Sequence, residues 1–94
     1  GGMAVSVTDG EILEALPLLG KSTGLFVEPA AAAAAAALVK LLNRGDVSST
    51  ERVVLISTGH GLKDVDSALR TVDLPIAIES SLAAVSERVD RLRG

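Results

Sequence analysis

The chain has no cysteine, no tryptophan and no tyrosine. Without cysteine, disulfides and thiolate metal sites are excluded, which fits a cytoplasmic protein. Phe26 is the sole aromatic side chain and His60 the sole histidine. The interior must therefore be built from alanine, valine, leucine and isoleucine, which pack closely but bury little area apiece. Positive charge is also short: the net charge is -3 and the pI is near 5.0. That leaves no basic face for nucleic acid or an anionic membrane. The longest apolar run, Ala30 to Val39, stops at Lys40, well under the roughly 20 residues of a membrane span. No metal-ligand spacing and no phosphate-binding glycine loop occur.

What is there is apolar for its size. Hydrophobic residues make up 48% of 94, and the mean hydropathy is +0.43. This length suits one small domain. Gly1-Gly2 ahead of Met3 reads as a cloning remnant, so residues 1–3 are set aside and 4–93 are read as a single segment.

Ala4–Val7 alternates as a short strand does. Thr8 and Glu11 form a T-x-x-E capping box opening a helix whose inner face is Ile12, Leu13, Leu16 and Leu19. Pro17 should kink or shorten it, with Gly20 and Gly24 at its exit. Leu25–Pro29 reads as extended chain, and Pro29 is placed to start a second helix through eight alanines to a stop at Gly45. Arg52–Ser57 is almost continuously apolar, as a strand covered on both faces would be. A glycine-containing stretch follows, with one helical turn near Val65–Leu69. Pro75–Glu79 reads as another short strand. Ser80 or Ser81 caps a last helix with Leu82, Val85, Val89 and Leu92 on one face. The expected fold is an α/β layered domain of order β-α-α-β-β-α.

Chemistry gathers where the apolar run ends, in Thr58-Gly59-His60-Gly61. Ligands of open α/β sheets bind beyond the carboxyl ends of strands. Glycine permits close approach and a threonine hydroxyl both donates and accepts, although a plain glycine turn has the same composition. His60 is either a general base or a backbone hydrogen-bond partner. Glu28 either favours the positive end of the alanine helix or serves a site. Lys63 and Asp64 read as a solvated pair.

Two stretches carry a resemblance: GLFVEPAAAAAAAALVKLL, and VVLISTGHGLKDVDSAL after it. Together they resemble the C-terminal part of threonine synthase, whose pattern is G-[IL]-F-x-E-P-A-x-A-A, a helix, then a strand ending T-G-H-G-L-K-D. The run of alanines and Pro17 depart from the family. The resemblance implies a pyridoxal-phosphate enzyme of tryptophan-synthase-like fold that converts O-phosphohomoserine and water to threonine and phosphate. It implies that Thr58 meets the pyridine nitrogen and that Glu28, Gly59 and His60 lie near the ring. The family's cofactor lysine and phosphate loop lie upstream, and Lys21, Lys40 and Lys63 do not match that lysine. The chain is thus expected to hold no cofactor covalently, to carry no catalytic residue and to be inactive alone. Its expected partner is the missing N-terminal half or another copy of itself. The alternative is a self-standing α/β module that binds a ligand or a protein.

Overall fold

The computed structural model describes all 94 residues. Four helices and one 3-10 turn are present: α1 (Asp9–Thr23), α2 (Pro29–Arg44), the turn Gly61–Lys63, α3 (Val65–Leu69) and α4 (Leu82–Arg93). The α/β expectation is overturned, because there is no strand. The only β pairing is an isolated antiparallel bridge between Val27 and His60. Ala4–Val7, Arg52–Ser57 and Pro75–Glu79 form no ladder. The apolar run expected to be covered on both faces is open, with Val54 84% and Ile56 75% exposed. The reason is physical. A helix satisfies its backbone within its own turns, whereas a strand needs a neighbour for its N–H and C=O groups.

The helices follow their local signals. Thr8 accepts from the Glu11 N–H at 3.2 Å, and the Glu11 carboxylate accepts from the Thr8 N–H at 2.7 Å, closing the capping box. Helix α1 runs through Pro17 and past Gly20 to a left-handed Gly24, φ 75°. Pro17 has no N–H to give, so the Leu13 carbonyl loses its usual partner. Near the C-terminal end, the Ser22 and Thr23 hydroxyls donate to the Leu18 and Leu19 carbonyls at 2.6 and 2.7 Å. Helix α2 starts at Pro29 and ends at Gly45, φ 77°, where the Asp46 N–H donates back to the Leu41 carbonyl at 3.0 Å.

These two helices make the core. Ala31, Ala32, Ala35 and Ala36 form one buried stripe of α2 against Ala15 and Leu16 of α1, with Val27 at one end. Ile12, Leu13 and Leu19 pack around it half-buried, as their spacing predicts. Small side chains let the two backbones approach, but they remove little apolar area from water. Helix α4 begins at Ser81, whose hydroxyl accepts from the Ala84 N–H at 3.2 Å, and it buries nothing. The molecule is accordingly long, 61 × 29 × 19 Å. Its radius of gyration is 17.6 Å, against about 12 Å for a compact chain of this length.

One electrostatic tie secures the helix pair. Glu11 accepts from the Thr8 backbone and faces Lys40 of α2 at 3.2 Å, and Lys40 also donates to the Ser6 carbonyl at 2.9 Å. The Thr8 backbone hydrogen bond first, and Lys40 second, hold the Glu11 carboxyl below its ordinary pKa of 4.5. A depressed folded pKa gives stability that is present above pH 4.5 and lost as acid protonates the folded state. Helical ellipticity is therefore expected to fall on acidification below pH 4.5. Glu11→Gln should reduce that acid dependence, and an unchanged acid titration would remove Glu11 from the account.

Candidate functional site

The Val27–His60 bridge brings together the two stretches that the sequence singles out. The Glu28 N–H donates to the Gly59 carbonyl at 3.1 Å and the Gly61 N–H to the Phe26 carbonyl at 3.0 Å. Residues 26–28 and 59–61 are thereby held side by side at the start of α2.

Both glycines are buried, and the space beside each is already taken. A Cβ at Gly59 would stand 1.7 Å from Oε1 of Glu28, and one at Gly61 would stand 2.3–2.5 Å from the Phe26 ring. The sequence left these glycines either to the close approach of a ligand or to a plain turn. The structure gives the first need for them to the chain's own Glu28 and Phe26. Phe26 also meets the His60 imidazole edge-on, with centroids 5.5 Å apart and planes at 79°.

His60 is exposed, and its Nδ1 accepts from the Leu62 N–H at 3.1 Å. Of its two sequence readings, the structure displays the backbone partner. That bond starts the 3-10 turn. Glu28 stands at the N-cap of α2 without capping it by its side chain. Its carboxylate turns to Lys63, 3.6 Å from Nζ. The expected Lys63–Asp64 pair does not form. Asp64 instead caps α3, accepting from the Ser67 N–H at 3.1 Å and its hydroxyl at 2.7 Å. Those Ser67 bonds, the hydroxyl's first, hold the Asp64 carboxyl below its ordinary value. Thr58 is exposed next to buried Gly59, at the end of the apolar run.

Sequence reasoning missed Phe26 and Lys63 as parts of this junction. The signal was available in principle: Phe26 and Glu28 are two apart, as are Gly59 and Gly61, so one bridge aligns both pairs.

This geometry can be set beside known proteins. Residues 1–59 match the family described as pyridoxal-phosphate dependent enzyme. The chain belongs to that family. The match takes in Glu28, Thr58 and Gly59. The chain is similar to threonine synthases: 52% identical over 82 residues to that of Methanocaldococcus jannaschii, covering 87% of this chain and 20% of the relative. Against the threonine synthase of Methanosarcina acetivorans it is 42% identical over 89 residues, covering 95% and 22%. Against that of Mycobacterium leprae it is 40% identical over 88 residues, covering 94% and 24%. The chain thus spans about a fifth to a quarter of the length of these relatives. No helix is long and apolar enough to cross a membrane.

The clasp makes a prediction within this member of the family. Gly61→Ala should expel the Phe26 ring and break the Val27–His60 bridge, since the added carbon meets three ring atoms below 3 Å. Overpacking of this kind costs about 1–3 kcal/mol. Amide exchange at position 61 and at Glu28 should accelerate by at least about fivefold. Unchanged exchange would show that the ring moves aside freely.

Proposed function

We propose that these residues are the cofactor-nitrogen end of a threonine synthase, the enzyme that forms threonine and phosphate from O-phosphohomoserine and water. The observation that carries the reading is the placement of Thr58. An exposed hydroxyl stands beside a loop pinned on both sides by backbone hydrogen bonds to the Glu28 segment. Pyridoxal phosphate, when bound, supplies an electron sink for charge developing on the amino-acid substrate.

In this reading the Thr58 hydroxyl donates to the pyridine nitrogen. A neutral hydroxyl holds that nitrogen without drawing a proton onto it, as a carboxylate would. The residues present fit such a role. Thr58 is exposed, while Gly59 and Gly61 are buried against Glu28 and Phe26. His60 braces the loop from its edge contact with Phe26. None of the three lysines is offered for covalent capture. Lys63 faces Glu28, Lys40 faces Glu11, and Lys21 lies in the last turn of α1. By themselves these 94 residues are therefore assigned no turnover.

A self-standing ligand module is the weaker reading. The accessible surface is 7214 Å², where a closed monomer of 9.6 kDa would expose about 5,100 Å². The decisive experiment is Thr58→Val in a complete threonine synthase carrying this segment. Loss of one hydrogen bond of about 0.5–1.5 kcal/mol should slow turnover about two- to tenfold and alter the cofactor's absorption band. An unaltered band and rate would return Thr58 to the status of a turn residue.

A further inference from the structure

Glu28 is the point where the loop and α2 interlock through a side chain. Its carboxylate and Cγ fill the volume that a side chain at position 59 would need, with Oε1, Cδ and Cγ at 1.7, 2.2 and 2.7 Å from an added Cβ. The Glu28 side chain is only 21% exposed. Its one cation is Lys63, at the end of the 3-10 turn that the same loop enters two residues after Gly59. The loop therefore holds this carboxylate twice, by the bare face of Gly59 and by the ammonium of Lys63. The Glu28 N–H holds the loop in return through the Gly59 carbonyl.

We propose that Lys63 is a positioning residue that holds the Glu28 carboxylate over Gly59 and so fixes the backbone carrying Thr58. A half-covered carboxylate with no cation would be drawn back towards water, because burying an unpaired charge is costly. Leaving Gly59 would empty the space at its Cα and unseat the hydrogen bonds at Glu28 and Gly61. At 3.6 Å the pair is held by charge and not by one directed bond. It follows that any cation of similar reach serves and that salt weakens it. The importance of the clamp for the cofactor rests on the reading of Thr58 given above, whereas the clamp itself does not.

The test uses the 94-residue chain labelled with nitrogen-15 and no cofactor, reading amide exchange at Glu28 and Gly61 and the chemical shifts of Thr58 and Gly59. A pair whose ammonium is exposed contributes little, so Lys63→Met should raise exchange at both amides by about two- to fivefold. Amides within α1 should keep their rates. Lys63→Arg should restore the wild-type rates, and about 1 M salt should bring wild type close to Lys63→Met. Glu28→Gln keeps the shape and removes the charge that water attracts, so it should stay closer to wild type than Lys63→Met does. Adding Glu28→Gln to Lys63→Met should then lower its exchange towards wild type. Equal exchange in Lys63→Met and wild type would overturn the proposal. So would failure of Lys63→Arg to restore the rates. Should Lys63→Met lose helix, Lys63→Gln decides by the same criteria. A negative result leaves the Thr58 assignment standing, and a failed Thr58→Val experiment leaves the clamp standing.

Discussion

Ala32→Leu should unseat the helix pair. Ala32 is fully covered between α2 and α1, and its neighbours in the stripe, Ala31, Ala35 and Ala36, are nearly so. Leucine would add three heavy atoms where the two backbones already sit close. Overpacking costs about 1–3 kcal/mol in a core that can adjust. This core has seven buried apolar side chains, five of them alanine. It has no large residue to rotate out of the way. Domains of this length hold about 5–14 kcal/mol at best, and one this open lies low in that range. The denaturation midpoint, followed by helical ellipticity in urea, should drop sharply. Ala30→Leu, at an exposed position two residues earlier, should leave it almost unchanged. Equal midpoints for wild type and Ala32→Leu would mean that the helices slide apart at little cost.

The same two helices show which parts of the fold are legible in the sequence. Thr8, Glu11, Gly24, Pro29, Gly45 and Ser81 each announce a helix end, and each stands at one. Their signals work because a helix end is settled by residues within one turn of it. Pro17 misleads because removing one hydrogen bond does not stop a helix whose flanking turns pack against α2. The expected strands fail for the opposite reason. Nothing within Val53–Ile56 specifies a neighbour, and the chain provides none. An apolar run shows that cover is needed without showing what gives it. The composition had warned of this: with 48% hydrophobic residues, only Ala15, Leu16, Val27 and four alanines of α2 are buried.

The residues of the candidate site were named from the sequence, but their contacts were not. Glu28, Thr58, Gly59 and His60 were all singled out by residue type and position. Their arrangement depends on the bridge at Val27 and His60, a long-range pairing that neither stretch encodes alone. Lys63 looked like half of a local pair with Asp64 because they are adjacent. Asp64 instead meets its helix-capping need with Ser67, which leaves Lys63 free to reach Glu28.

At micromolar concentration the 94-residue chain is expected to sediment as a dimer or larger. Its surface of 7214 Å² exceeds the value for a closed monomer by about 2,100 Å². A stable protein interface takes about 800 Å² from each partner. The uncovered area is therefore more than enough, and much of it is apolar: Val54, Ile56, Ile76 and Leu82 are each more than half exposed. Patches of this kind are covered by a partner or lead to aggregation, and in a pure solution the partner is a second copy, most simply across a two-fold axis. The alanine-rich helix α2, whose small side chains would allow close approach, already buries its stripe against α1. That moves the expected contact to Val53–Ile56 and the apolar face of α4. Val54→Lys with Ile56→Lys should then shift sedimentation towards the 9.6 kDa monomer while leaving the ellipticity of α1 and α2 unchanged, since neither residue touches their core. A wild-type chain that ran as a 9.6 kDa particle throughout the micromolar range would defeat this expectation, and it would mean that the apolar segments fold back over one another in solution.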